Sequence, residues 1–182
     1  MNFTSCRGYR LIVTIAALAW LCGCATSADP ARMAVGPITA DNDFPQPLRH
    51  SMCVRSVTGG EETNPLWVSK VDNDGFRSAL AASMEKAGLI AAGDVCKYHV
   101  DANLLGLSQP IMGFDLEVTS HVNYKVYDSA GQPILLETIS APYNAKFSEA
   151  FAAVVRLQRA NEGSIRASIS QFLEKLRAVR LS

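Results

Sequence analysis

Lysine and arginine form no run anywhere in the 182 residues, and the 17 basic side chains only match the 17 acidic ones. A nucleic-acid binder needs a basic face to neutralise phosphates, so that class is set aside. Also lacking is an apolar run long enough to span a bilayer. The longest, Leu11 to Leu21, is about half the roughly 20 residues a crossing helix needs. No Gly-x-Ser-x-Gly, His-Glu-x-x-His, phosphate-binding glycine loop or dinucleotide fingerprint occurs. The nucleophile, zinc pair and nucleotide cradle of those chemistries are therefore missing. Histidines number three and cysteines five, without the tight three- or four-ligand spacing of a metal site. Neither a cofactor nor a metal is expected.

What is present begins with a tripartite N-terminus. Met1 to Arg10 carries two arginines and no acid, Leu11 to Leu21 is apolar, and Leu21-Cys22-Gly23-Cys24 closes the segment. This is the design of a signal peptide with a small residue before its cleavage point. The ending resembles the lipobox of bacterial lipoproteins, with Leu21 three before the modified cysteine and Gly23 one before it. Cys22 is unusual at the middle position. The resemblance implies that residues 1–23 are a lipoprotein signal peptide and that Cys24 becomes the triacylated, palmitate-bearing N-terminus. Ala25 rather than aspartate follows, which by the same resemblance favours the outer membrane, on its periplasmic side. The competing reading is an ordinary secretory signal with a coincidental cysteine.

Removal of Arg7 and Arg10 leaves 15 basic against 17 acidic residues, a net charge of −2. Cys6 and Cys22 leave with the signal and Cys24 is taken by lipid, so Cys53 and Cys96 remain. In an oxidising compartment they read as a disulfide, the alternative being two separately buried thiols.

Residues 24–47 contain Pro30, Pro37, Pro45 and Pro47 and no amphipathic period. They read as a lipidated tether able to hold the domain several tens of ångströms from the bilayer. The single domain then covers 48–182. Its first strand, His50 to Val57, alternates Met52, Val54 and Ser56 against Cys53, Arg55 and Val57. Asp72-Asn73-Asp74 offers N-caps for a helix carrying Phe76, Leu80, Met84 and Ala87, stopped by Gly88. A second strand runs from Lys97 to Leu107, with Tyr98, Val100, Ala102 and Leu104 on one face and His99, Asp101 and Asn103 on the other. The third, Phe114 to Tyr127, alternates over its whole length. A fourth, Ile134 to Pro142, is bounded by Pro133 and Pro142.

From Ser148 the period is helical, with Phe151, Val154, Val155 and Leu157, then Ile165, Ile169, Phe172, Leu173 and Leu176. Gly163 predicts a break or kink between Ala160 and Ser164. The fold class is α+β, a β-α-β-β-β-α two-layer sandwich with one four-stranded mixed sheet and both helices on one face. In this topology the first two strands are parallel neighbours, which brings Cys53 and Cys96 to the roughly 5.5 Å Cα separation of a bridge. The hairpin of strands two and three, if its turn centres near Ile111, sets Asp101 opposite His121.

A lipobox, a Pro-rich segment, a helix of the form Phe76 to Gly88, a long alternating hairpin and a closing helix resemble the outer-membrane lipoproteins of the YajG type. That domain is similar to the N-terminal domain of the Tol-system β-propeller protein and to the lipopolysaccharide-assembly lipoprotein. The resemblance covers residues 50 to 180 and brings no functional residues with it.

Candidate sites are few. An enzyme reading begins with His50, His99 and His121 together with Asp101, Asp115 and Glu117, and His99 and His121 fall on the outward parity, where polar residues belong by default. The loop Asn64-Pro65-Leu66-Trp67 and the hairpin tip with Leu107, Pro110, Ile111, Met112 and Phe114 put apolar side chains where a partner could dock or where they cover the core. Arg156, Arg159, Glu162 and Arg166 share spacings that give a charged, solvated helix face. The expected role is a non-enzymatic binding or assembly module of the cell envelope. It would meet a membrane through the lipid on Cys24 and an envelope protein, lipid or glycan through its domain. The alternative is a hydrolase or transferase acting on envelope polymers through His99 or His121 and nearby carboxylates.

Overall fold

The computed structural model describes residues 26–36, 44–63, 69–93, 95–109 and 115–181. Alternating sequence becomes four strands, β1 (Met52–Thr58), β2 (Tyr98–Ser108), β3 (Leu116–Asp128) and β4 (Pro133–Ala145), hydrogen-bonded in the order β1-β2-β3-β4. β1 and β2 pair in parallel and the other neighbours are antiparallel. Among the described residues the α-helices are α1 (Pro30–Met33), α2 (Asn73–Lys86) and α3 (Ala153–Arg177). The two long ones lie over a single sheet face, giving the expected α+β sandwich.

α2 begins where the Asp72 carboxylate accepts a hydrogen bond from the Gly75 amide at 2.7 Å. Past its end the chain turns at Gly88, whose φ of +68° is a left-handed conformation that glycine adopts without a Cβ clash. Phe76, Leu80 and Met84 from α2, Ile165, Ile169, Phe172, Leu173 and Leu176 from α3, and Val100, Val122, Tyr124 and Val126 from the sheet form one buried cluster. At its centre the Tyr124 ring stacks on Phe172 at 4.4 Å and meets Phe76 edge-on at 6.5 Å. Its hydroxyl is within 3.1 Å of Ser168 Oγ, and burial pushes the phenol well above the usual tyrosine range. Each such large side chain removed from water contributes about 2 kcal/mol.

Cys53 and Cys96 are joined in a disulfide with a Cα separation of 5.8 Å. The parallel pairing of Cys53 with His99 brings the starts of β1 and β2 together. Closing the 43-residue separation stabilises the fold by up to about 4 kcal/mol in the chain-entropy model.

Several local expectations are corrected. β1 carries a register shift between Val54 and Ser56, so Val57 rather than Ser56 turns inward and is buried. The β2–β3 ladder keeps the expected faces but not the expected offset. Asp101 stands opposite Lys125, and His121 stands opposite Gly106, beyond a second shift between Leu104 and Gly106. Pro142 lies inside β4 instead of ending it, paired with Thr119. An edge strand accepts proline because alternate N–H groups face away from its neighbour.

α3 starts at Ala153 and runs unbroken to Arg177, without the expected break at 160–164. Gly163 is used for close approach, since a Cβ there would meet the Tyr143 ring at 2.3 Å. Phe151 precedes the helix and is 84% exposed rather than inward.

The largest difference concerns the stretch read as a tether. Ala28, Met33, Ala34 and Phe44 are buried, and all four belong to the main core cluster. α1 is capped by the Asp29 side chain, which accepts from the Ala31 amide at 2.9 Å, with Pro30 in its first turn. From Thr26 onward the described residues of this stretch are seated on the domain.

Candidate functional site

The sheet face opposite the helices carries the outward residues of all four strands. On β1 and β2, Arg55 forms a two-pronged ion pair with Asp101 through Nε and Nη2, and Ser56 Oγ donates to the same carboxylate at 2.6 Å. These contacts hold the Asp101 carboxyl below its usual range. The Arg55 hydrogen bond dominates, with burial opposing it and Ser56 and Lys125 assisting. The Arg55 guanidinium also lies 5.1 Å from the Tyr127 ring centroid, a cation–π arrangement. Thr58 donates to Asn103 at 3.2 Å and Asn123 to Thr138 at 2.9 Å. The exposed side chains of Leu105 and Leu136 add apolar patches on β2 and β4. Ser56, Thr58, Asp101, Asn103, Asn123 and Tyr127 line an open depression of about 220 Å³, smaller than the roughly 300 Å³ at which small-molecule pockets begin. The chemistry offered is that of a flat recognition surface.

The catalytic alternative gathers less than its sequence suggested. His121 Nδ1 is 2.8 Å from Ser140 Oγ and Nε2 is 3.2 Å from Ser108 Oγ. Among the described residues no carboxylate bonds this ring. Asp101 is engaged by Arg55 and Ser56, and Asp115 accepts from the Phe147 amide at 3.0 Å. His99 lies opposite Cys53 and Tyr127. Among the described residues no hydrogen bond or ion pair joins His50, His99 or His121 to Asp101, Asp115 or Glu117. Among the described residues no group of three or more His, Cys, Asp or Glu side chains is placed to hold a metal ion.

Cys24, Asn64, Pro65, Leu66, Trp67, Pro110, Ile111, Met112 and Phe114 lie outside the described residues. Leu107 is half-buried, paired with Ser120 and packed on the core.

The charged set on α3 is not a solvated face. Arg156 is 4% exposed and Glu162 2%, alongside fully buried Asn161, Ser164 and Ser168. Arg156 Nη1 donates to the carbonyls of Ala150 and Phe151 at 2.7 and 2.8 Å. Glu162 accepts from the Asp29 amide at 3.0 Å and lies 4.0 Å from Arg32. Burial raises its carboxyl above the usual range, opposed by the Asp29 amide, Arg32 and Arg159. Asn161 donates to the Ser69 carbonyl at 2.8 Å and accepts from Gln109 at 2.8 Å. Arg166 donates to the Arg32 carbonyl at 2.6 Å. The 26–33 segment meets this side of α3 at Gln158, Glu162 and Arg166.

Sequence reasoning also missed the exposed aromatic pair before α3. Phe147 and Phe151 meet edge-on at 5.5 Å, and Arg156 lies 4.8 Å from the Phe147 ring centroid. Phe147 has no reading from sequence, and Phe151 belongs to the expected helical period, which the structure starts only at Ala153. Among the described residues no helix is long and apolar enough to cross a membrane.

No protein-family model and no curated protein matches the chain. Solved structures do share its fold. Protein XCC0632 from Xanthomonas campestris, of the family DUF330, is 13% identical with a TM-score of 0.57, covering 79% of this chain and 91% of its own. The hypothetical protein CT253 from Chlamydia trachomatis is 8% identical with a TM-score of 0.51, covering 72% and 97% respectively. A minor lipoprotein from Acinetobacter baumannii overlaps more loosely, at 14% identity and a TM-score of 0.41 over 72% of this chain and 93% of its own. At these identities the likeness of the first two is one of fold.

Proposed function

We propose that the chain is a lipoprotein of a bacterial cell envelope, anchored through acylated Cys24 to the periplasmic side of the outer membrane. Its domain acts there as a non-enzymatic binding or assembly module, in keeping with the resemblance to the YajG type. The observation that carries the binding role is the helix-free sheet face. Arg55 lies over the Tyr127 ring on it, with hydroxyl and amide side chains nearby and exposed Leu105 and Leu136 on β2 and β4. Arginine and tyrosine are the residues that concentrate binding energy in protein interfaces, so an envelope protein is the favoured partner over a lipid or a glycan.

A photocrosslinking residue placed at Asn123 in the full chain, expressed in its own cells, should give a discrete adduct, and Arg55→Ala with Tyr127→Ala should remove it. The same crosslinker at exposed Glu85 on α2 should give none. An Asn123 adduct no stronger than that from Glu85 would overturn the reading. Cys24→Ala should abolish lipid labelling and release the protein from membranes. Labelling that survives this change would refute the anchor.

A further inference from the structure

We propose that the end of the domain bearing Phe147 and Phe151 lies against the lipid bilayer, with Phe151 entering its interfacial zone. This rests on the reading of Cys24 as the lipidated residue.

Reach is the first argument. The Thr26 carbonyl accepts from Ser69 Oγ at 2.8 Å, the Ser27 carbonyl from Gln158 at 2.9 Å, and the Ala28 amide donates to the Lys70 carbonyl at 3.1 Å. The chain is therefore fixed to the domain from Thr26 onward. Cys24 lies two residues earlier, at most about 7 Å of fully extended backbone. A lipid on that residue holds the domain at the bilayer surface and cannot let it stand off.

Direction is the second. Ser27 contacts Gln158, Asp29 contacts Glu162 and Arg32 contacts Arg166, so the segment runs beside α3 in the same sense. Followed backwards, it leads toward the N-terminal end of α3. From Gln158 to the helix start at Ala153 is about 7 Å along the axis, and Phe151 lies just beyond. Phe151 is 84% exposed and Phe147 41%. Aromatic rings on a surface already held at a bilayer partition into its interfacial zone.

Charge gives no competing attraction. Lys146 and Arg156 are offset nearby by Asp115 and Glu149, which accept from the Phe147 and Lys146 amides. Contact is therefore apolar, needs no anionic lipid, and is insensitive to salt.

The test uses the full lipidated protein in vesicles of phosphatidylcholine with plain or brominated acyl chains. Phe151→Trp, read above the parent's own emission, should lose at least half of its added fluorescence on brominated lipid, at low and high salt alike. Leu136→Trp is the control, 58% exposed on β4 and nine residues from Ala145, about 30 Å away along the strand; it should keep its emission. Phe147→Trp serves as second reporter should Phe151→Trp fail to fold. Equal quenching at the two ends, or none at either, with Cys24 shown by intact mass to be acylated, would overturn the proposal and leave the lipoprotein reading standing. A mass showing unmodified Cys24 would overturn both.

Discussion

Along α3 the C-terminal half buries Ile165, Ile169, Phe172, Leu173 and Leu176 against the sheet, whereas the N-terminal half buries Arg156, Asn161, Glu162 and Ser164 in directed hydrogen bonds to the Asp29 amide, the Ser69 carbonyl and nearby backbone. The first half is held by area removed from water and tolerates local shifts. The second is held by directed bonds to particular carbonyls and amides, so losing one partner strands the other without water. Two chemistries thus reach the same degree of burial on one helix. They differ in what breaks them.

The sharpest separation comes from single truncations, read by urea denaturation. Phe172→Ala removes the ring stacked on Tyr124 and should cost about 4 kcal/mol, through lost transfer energy and the cavity left behind. Asn161→Ala should cost about 2 kcal/mol, because the buried Ser69 carbonyl and the Gln109 amide lose their partner together. It should also raise amide exchange at Ala28, whose bond to Lys70 lies on the same cover, whereas Phe172→Ala should leave that local opening unchanged. If both variants exchange alike at Ala28, the two halves are one cooperative unit and the contrast fails.

At the junction, Gly163→Ala should cost about 1.5 kcal/mol by driving a methyl into the Tyr143 ring. Combining it with Tyr143→Ser should recover part of that loss, a coupling that a double-mutant cycle measures. Simple additivity would show that the glycine serves something other than this contact.

The smallest expected effect is a pH dependence. Glu162 has a folded-state pKa above that of the unfolded chain, so the native state binds its proton more tightly. The stability this contributes is complete below the ordinary carboxylate range and is lost as pH rises through the raised folded value. Glu162→Gln should remove that segment of the stability profile. A profile unchanged by this substitution would mean that Arg32 and the Asp29 amide fully offset the burial.

The same contrast separates what was legible in the sequence from what was not. Ile165, Ile169, Phe172, Leu173 and Leu176 announce a buried helix by spacing alone, and the β3 alternation announces its faces. The N-terminal half of α3 looked solvated because its cover, Thr26 to Met33, has a short helix opened by a proline and no period of its own. Reading that cover as a tether and reading Glu162 as exposed were one error seen from two sides, whereas Arg156 is drawn in by the Ala150 and Phe151 carbonyls. Strand offset was hidden for a different reason. Period 2 fixes which face a residue takes, while the shift between Leu104 and Gly106, together with the position of the turn, sets its partner. Asp101 therefore met Lys125 and Arg55 in place of His121. The outer face was legible as polar, with Arg55 and Tyr127 on its parity, but nothing in the alternation set Arg55 over the Tyr127 ring across β2.

β4 ends the sheet, and among the described residues no strand pairs with its other side. If the proposed anchor holds, copies on one membrane are crowded in two dimensions, where a bare edge of thirteen residues is a template for intermolecular growth. Pro133 opens this strand and Pro142 interrupts it, so an incoming strand finds an unbroken run only from Ile134 to Ala141. Proline at 142 thus acts against self-templating along this edge. Pro142→Val should leave the fold intact yet convert concentrated samples into sheet-rich oligomers, a change that light scattering would register before any loss of native signal.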